Sequence, residues 1–298
     1  CLKQEPTSST SAMGRVPLHA RLSLNNMERE QTDIISSQRN PKIKRLLSLQ
    51  QKSQVRRSEN RFVVEGYREL MHCIQAGYQV ESIFVRQGES AISLPPMPRE
   101  TTIIPVNAEV YERIAYRGST EGVVAIVESR FMQLTDLHLP PNPLIIVLES
   151  VEKPGNLGAV LRSADAAQAD AVIVCDPLTD IYNPNLIRSS LGAIFTVPCV
   201  ACSSAQCIEF LQSHGIQILT AQLQDSHLYY HTPMTEGTAI VMGTESTGLT
   251  SVWRQAAHAH IRIPMLGNLD SLNVSVSAAI LLFEAVRQRQ EQNSQNEE

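Results

Sequence analysis

Between Leu144 and Ile263 the chain is punctuated by short, unbroken apolar runs: Leu144–Leu148, Ala171–Cys175, Thr196–Val200, Ile216–Ala221, Thr238–Met242 and His260–Ile263. A strand wetted on one face alternates apolar and polar residues, whereas a strand covered on both faces has no need to. Helix-length segments separate the runs, so the pattern predicts an α/β fold around a mostly parallel, doubly wound sheet. Ligands of such sheets bind outside the carboxyl ends of the strands, which directs attention to the loops that follow the runs. No run approaches the roughly 18 apolar residues of a membrane span, and no basic-then-apolar leader opens the sequence, so a soluble, unsecreted protein without a membrane partner is expected. Six cysteines, unevenly placed, are too few for a disulfide scaffold and fit reduced thiols in a cytosol-like compartment.

With 43% hydrophobic residues, the 298-residue chain has material for roughly two domains of about 150 residues each. Residues 1–38 are polar, Ser/Thr-rich and without a period; they read as a disordered or upstream extension. Their acids Glu5, Glu28, Glu30 and Asp33 argue against an organellar transit peptide, and a cytoplasmic location is expected with an organelle left open. Asn40-Pro41 opens a helix, with the Asn as cap and Ile43, Leu46, Leu47 and Leu49 on the buried side. Strands are then predicted at Arg61–Glu65, Val80–Val85, Thr102–Pro105 and Gly122–Val127, with helices from Tyr67 to Ala76 and after Asn107. Residues 39–128 therefore read as a small α/β domain. Residues 129–143, with prolines 140, 141 and 143, read as a linker, residues 144–290 as the second domain and residues 291–298 as a polar tail. The last helix, Asn273 to about Arg289, is apolar nearly all round from Val274 to Val286, so it needs cover on more than one side.

The formal net charge of −5 argues, taken alone, against nucleic acid. From Arg39 to Arg68, however, nine basic residues stand against two acidic ones, a local +7 that leaves −12 for the rest. Local charge attracts phosphate within about one Debye length whatever the total. Lys42, Lys44, Arg45, Arg56, Arg57 and Arg61 are thus candidate phosphate contacts, a solvated helix face being the other reading.

Three loops carry more small, polar or glycine residues than their turns need. In residues 149–162, Gly155 and Gly158 let the backbone bend around a ligand at a helix start placed near Gly158. Asn156 and Arg162 there can reach one phosphate or hydroxyl group, although an ordinary strand-to-helix turn gives a similar pattern. Residues 243–249, Gly243-Thr244-Glu245-Ser246-Thr247-Gly248-Leu249, follow another buried run. Neither loop has G-x-G-x-x-G or the Walker Lys-Ser/Thr pair, which disfavours nicotinamide and nucleoside-triphosphate chemistry. Residues 263–275 crowd Asn268, Asp270, Ser271, Asn273 and Ser275 before the apolar helix, where capping uses one or two of them.

In this order, each at a strand end, the loops resemble those of the SpoU-type RNA ribose 2′-O-methyltransferases of the SPOUT superfamily. The matching residues are Asn156-x-Gly158-x-x-x-Arg162, Gly243-x-Glu245-x-x-Gly248-Leu249, and Ile263-Pro264-Met265 with Ser271-Leu272-Asn273-Val274-Ser275. Asp180-x-x-Asn183-Pro184 and Arg188-x-Ser190-x-Gly192-Ala193 look like the stretch between the family's first two motifs, and add Arg188 to the candidate RNA contacts. Residues 39–128 resemble, by arrangement, the family's ribosomal-protein-like substrate-binding domain, with Thr120-Glu121-Gly122-Val123 where family versions often have a His-Gln-Gly-Val-type strand.

The resemblance implies a trefoil knot in the catalytic sheet, a homodimer, and S-adenosylmethionine held bent by backbone groups of Gly243, Ile263 and Leu272 with Met265 and Gly267 nearby. It also implies methyl transfer to an RNA ribose. Arg162 would bind the nucleotide and stabilise the developing alkoxide, Asn156 would orient Arg162 or the ribose, Glu245 would hold Arg162 or a neighbouring loop, and Ser271 and Asn273 would complete the pocket. Ribosomal RNA is expected over transfer RNA because of the separate N-terminal domain. A transfer-RNA enzyme and a non-catalytic RNA-binding or ribosome-assembly factor are the alternatives. Cys199-x-x-Cys202 with Cys207 and either Cys175 or His214 has a zinc-like look, but Cys199 ends a buried strand and Cys207 falls in the next helix, so no metal is expected.

Overall fold

The computed structural model describes residues 33–88, 94–98, 100–116, 122–244 and 247–296, so residues 1–32, Thr120, Glu121 and Glu245 lie outside the described residues. Residues 34–38 belong to the fold rather than to an extension: Ile35 is buried and bridges Val106, donating to the Pro105 carbonyl. Asn40 caps α1 (Pro41–Gln51) by accepting from the Lys42 amide, with Pro41 in the first turn, where a missing N–H costs nothing. A second helix, α2 (Ser53–Glu59), follows after Lys52 and ends at Asn60 in the left-handed region (φ 54°). The sequence pattern did not separate α2 from α1.

The first sheet contains β1 (Arg61–Glu65), β2 (Val80–Arg86), β3 (Thr102–Val106) and β4 (Val123–Glu128) in the order β1-β4-β2-β3. Strand β4 runs antiparallel to both neighbours, and β3 parallel to β2. Helix α3 (Tyr67–Gln75) joins β1 to β2, and α4 (Ala108–Ile114), capped by Asn107, joins β3 to β4.

The second sheet has seven strands: β5 (Leu144–Glu149), β6 (Ala171–Cys175), β7 (Cys199–Cys202), β8 (Gln217–Ala221), β9 (His227–Leu228), β10 (Thr238–Met242) and β11 (Ala259–Arg262). Their order is β7-β6-β5-β10-β8-β11-β9, and every pairing is parallel. Ile146 and Leu148 face a core built with α5 (Pro154–Ala166), α6 (Pro184–Ser190), α7 (Ala193–Thr196) and α10 (Val274–Asn296). Ile145 and Val147 face a second core with α8 (Ser204–Ser213) and α9 (Ser251–Ala256). The unbroken apolar runs thus have their expected cause, cover on both faces.

One run is misread: Thr196 closes the helical turn α7 after Gly192 (φ 88°), and the strand begins only at Cys199. Ile194 and Phe195 reach the core from that turn, because a short apolar run does not distinguish strand from helix.

The described residues from Ile34 onward form one compact unit. The first sheet lays Phe62, Val64, Val123 and Ala125 into the same core as Leu157, Leu186 and Phe195. Phe62 stacks on Tyr182 with ring centroids 4.2 Å apart. Residues 129–143 are strapped down: Leu134, Leu137 and Leu139 pack on the far-face core, and the Tyr182 hydroxyl both accepts from the Arg130 amide and donates to the Arg130 carbonyl. Among the described residues no helix is long and apolar enough to cross a membrane.

Candidate active site

The three loops meet at the carboxyl ends of β5, β8, β10 and β11. A cleft of about 360 Å³ is lined by Gly243, Thr244 and Leu249 of the second loop and by Ile263, Met265, Ser271 and Leu272 of the third. A smaller hollow of about 120 Å³ shares Gly243, Thr244 and Val274 with it and reaches Asn156 and Glu149 of the first loop. Asn273 ties the rim together. Its side-chain amide donates to Asn156 Oδ1 at 3.2 Å, while its own Oδ1 caps α10 by accepting from the Ser275 amide at 3.0 Å and hydroxyl at 2.6 Å. One of the surplus polar residues is therefore the cap, and it also links the first and third loops.

The second loop folds back on itself at Gly243. A Cβ there would overlap the Gly248 carbonyl and lie 2.5 Å from the Leu249 nitrogen, so only glycine admits this approach. Thr244 holds the return, its hydroxyl accepting from the Thr247 amide and its carbonyl from Gly248. Glu149, only 3% exposed at the end of β5, anchors the far end by accepting from the Thr250 amide at 2.8 Å and hydroxyl at 2.6 Å. The Ser204 hydroxyl joins Glu149, and Trp253 Nε1 donates to it at 3.0 Å. This buried carboxylate was not singled out in the sequence, where it is one more residue after an apolar run.

Of the expected cofactor residues, Gly243, Ile263, Met265 and Leu272 line the cleft, whereas Gly267 does not. Gly267 is exposed, with nothing among the described residues within 4 Å of a Cβ placed on it, and Leu266 beside it is 95% exposed. Residues after β8 were missed although the strand-end rule points to them: Gln222, Leu223 and Gln224 form one wall. Gln222 Nε2 donates to the Gln224 carbonyl, which fixes the amide, and Gln222 Oε1 is buried with no donor among the described residues. A buried acceptor left unmade costs about 1–3 kcal/mol, so this wall suits a ligand that presents an N–H or O–H beside an apolar body.

Helix α5 begins at Pro154, earlier than the expected start near Gly158. Gly158 is interior and serves packing: a Cβ would overlap Ser189 Oγ and lie 2.8 Å from the Leu186 carbonyl, so glycine sets the close approach of α5 to α6. Arg162 lies six residues beyond Asn156, roughly 9 Å along the axis and about 120° round it. It is exposed and makes no ion pair among the described residues. Ser271 is exposed at the cleft edge, donating to Asp270 at 3.4 Å.

The basic block divides once folded. Lys42, Lys44 and Arg57 are exposed and make no ion pair among the described residues. Arg45 and Arg61 converge on Glu81, and these contacts, Arg45's first, hold its carboxyl below the usual range. Arg56 corrects the expectation of an RNA contact: it is 4% exposed, pairs with Asp180 at 2.6 Å and donates to the Leu49 and Gln50 carbonyls. Arg188 is likewise engaged, with Glu65 at 3.3 Å and its guanidinium 3.7 Å from the Tyr116 ring centroid.

A model of the SpoU rRNA Methylase family matches residues 143–283, and one of the MRM3-like substrate binding domain matches residues 40–125. The chain is 35% identical to the 23S rRNA (guanosine-2′-O-)-methyltransferase RlmB of Vibrio vulnificus, over 69% of this chain and 88% of that protein. Two solved structures are similar to it. One is an RNA 2′-O ribose methyltransferase at 37% identity and TM-score 0.75, covering 87% of this chain and 100% of the other. The second is an AdoMet-bound rRNA methyltransferase from Sinorhizobium meliloti at 28% identity and TM-score 0.78, covering 86% and 98%. With both halves matched in order, and such a relative aligned over most of its length, the chain belongs to the SpoU rRNA methylase family.

Proposed function

We propose that the chain transfers the methyl group of S-adenosylmethionine to a ribose 2′-hydroxyl of ribosomal RNA. The observation that carries this reading is the pair of adjoining hollows that three strand-end loops line together, the first and third loops being tied by Asn273 and Asn156. The residues fit the cofactor: Ile263, Met265 and Leu272 offer apolar surface, and Gln222 Oε1 needs the kind of N–H donor that an adenine or ammonium group carries. Bound there, the cofactor supplies an electrophilic sulfonium methyl.

The protein's part is alignment and charge. Gly243 lets the second loop fold back on itself at the cleft wall, and Asn273 fixes the third loop against Asn156. Arg162, exposed on α5, binds the target nucleotide and stabilises the negative charge that develops on the ribose 2′-oxygen. Glu245 holds Arg162 or its neighbouring loop, and Ser271 completes the polar rim. Residues 39–128 form the RNA-binding domain, with Lys42, Lys44 and Arg57 as its phosphate contacts. The fold closes in a trefoil knot, and two copies pair through α10. The enzyme works in the cytoplasm, on the ribosomal RNA named for its relatives.

Replacing Arg162 by alanine tests the assignment. Affinity for S-adenosylmethionine by calorimetry is expected to hold, while methyl transfer to a ribosomal RNA fragment falls by about 100-fold or more. Undiminished turnover would refute the role. Mapping ribose methylation in cells with and without the protein identifies the nucleotide.

A further inference from the structure

On the far face of the seven-stranded sheet, three thiols converge. Cys175 ends β6, Cys202 ends β7 in register beside it, and Cys207 meets both from α8. Their sulfurs all lie within 4.8 Å of one another. Cys175 and Cys207 are buried, and Cys202 is half-buried, which leaves a way in. Cys199 is not part of the group. Three residues from Cys202 along a strand, it faces the opposite core, so the C-x-x-C spacing misidentifies the pair and Cys175 takes the place of Cys199.

We propose that Cys175, Cys202 and Cys207 bind one thiophilic d10 cation, with zinc as the divalent case. Sulfurs at about 2.3 Å from one tetrahedral ion stand just under about 4 Å from each other, so the observed triangle contracts only slightly on binding. The scaffold is already fixed. Two ligands sit on adjacent strands, and the third sits on a helix whose start is held by the reciprocal Ser203 and Gln206 cap. Asp176, next to Cys175, accepts from the Ser204 amide at 3.1 Å and hydroxyl at 2.6 Å, docking that helix on β6. A water fills the fourth position. The cluster abuts the first loop's base, since Ser150 donates to the Cys175 carbonyl at 2.8 Å. Three sulfurs suit zinc, cadmium or copper(I) and disfavour magnesium or calcium.

The test uses the reduced, chelator-treated full chain titrated with cadmium, followed by the ultraviolet thiolate-to-metal charge-transfer band. Saturation at one ion per chain, with zinc displacing cadmium, is expected. The band should be lost in Cys202→Ser and Cys207→Ser and kept in Cys199→Ser and Cys73→Ser. On the unmutated chain, zinc should slow alkylation of Cys202 by iodoacetamide, read by peptide mass mapping, so a variant that misfolds does not hide the answer. No saturable band, a band that survives Cys202→Ser, or alkylation of Cys202 indifferent to zinc would each overturn the site.

Discussion

Arg56 and Arg57 are neighbours that count alike in a charge sum, yet one is buried and the other on the surface. The difference arises because the nearby Leu49 and Gln50 carbonyls and Asp180, a carboxylate 124 residues away that no local pattern reveals, surround the Arg56 guanidinium. Removing one member of a buried pair strands the other, so Arg56→Ala is expected to cost about 3–5 kcal/mol in urea unfolding. Arg57→Ala should stay within about 0.5 kcal/mol while weakening RNA binding at low salt. Gly243 and Gly267 make a second contrast. Both are loop glycines that the resemblance places at the cofactor, but a methyl at Gly243 meets backbone and one at Gly267 meets nothing among the described residues. Gly243→Ala should abolish S-adenosylmethionine binding in calorimetry and lower Tm; Gly267→Ala should leave both unchanged. The resemblance pointed to both positions, and only the close approach of Gly248 separates them.

At the scale of elements, the parallel strands were legible because double burial leaves an unbroken apolar signature, and α1 and α4 because Asn caps are local chemistry. Strand β9, two residues long, and turn α7 were not, since their form is set by neighbours. The surplus of apolar residues on α10 was visible, and the fold accounts for part of it: Ala278, Leu281, Leu282 and Ala285 are buried. Val276 and Phe283, seven residues apart and so on one stripe, stay 48% exposed. A second copy of the helix is the cover proposed for that stripe. Sedimentation should therefore give a dimer for the unmutated protein and a monomer for Phe283→Glu, with the helical circular dichroism unchanged. A monomeric unmutated protein would refute the pairing.

For the whole molecule, proline-rich residues 137–143 mark where the chain turns from one sheet to the next, but punctuation does not say whether two halves come apart. That depends on surface, and here Phe62, Val64, Val123 and Ala125 share one core with Leu157, Leu186 and Phe195. Arg56 with Asp180 and Arg188 with Glu65 cross the same boundary. An interface both apolar and ion-paired couples the two sheets, whereas a tether between independent domains lets each unfold at its own midpoint. Two residues report the halves separately: Trp253, the chain's one tryptophan, is buried on α9, and Cys73 is buried on α3. In urea, with reductant and chelator present, Trp253 fluorescence and Cys73 labelling followed by peptide mapping should change at one common midpoint. Asp180→Asn, which strips Arg56 of its charge partner, should move both midpoints down together. If Trp253 held its native signal after Cys73 became reactive, the coupling would be absent, and residues 39–128 would have to be regarded as a separate binding module carried on a flexible strap.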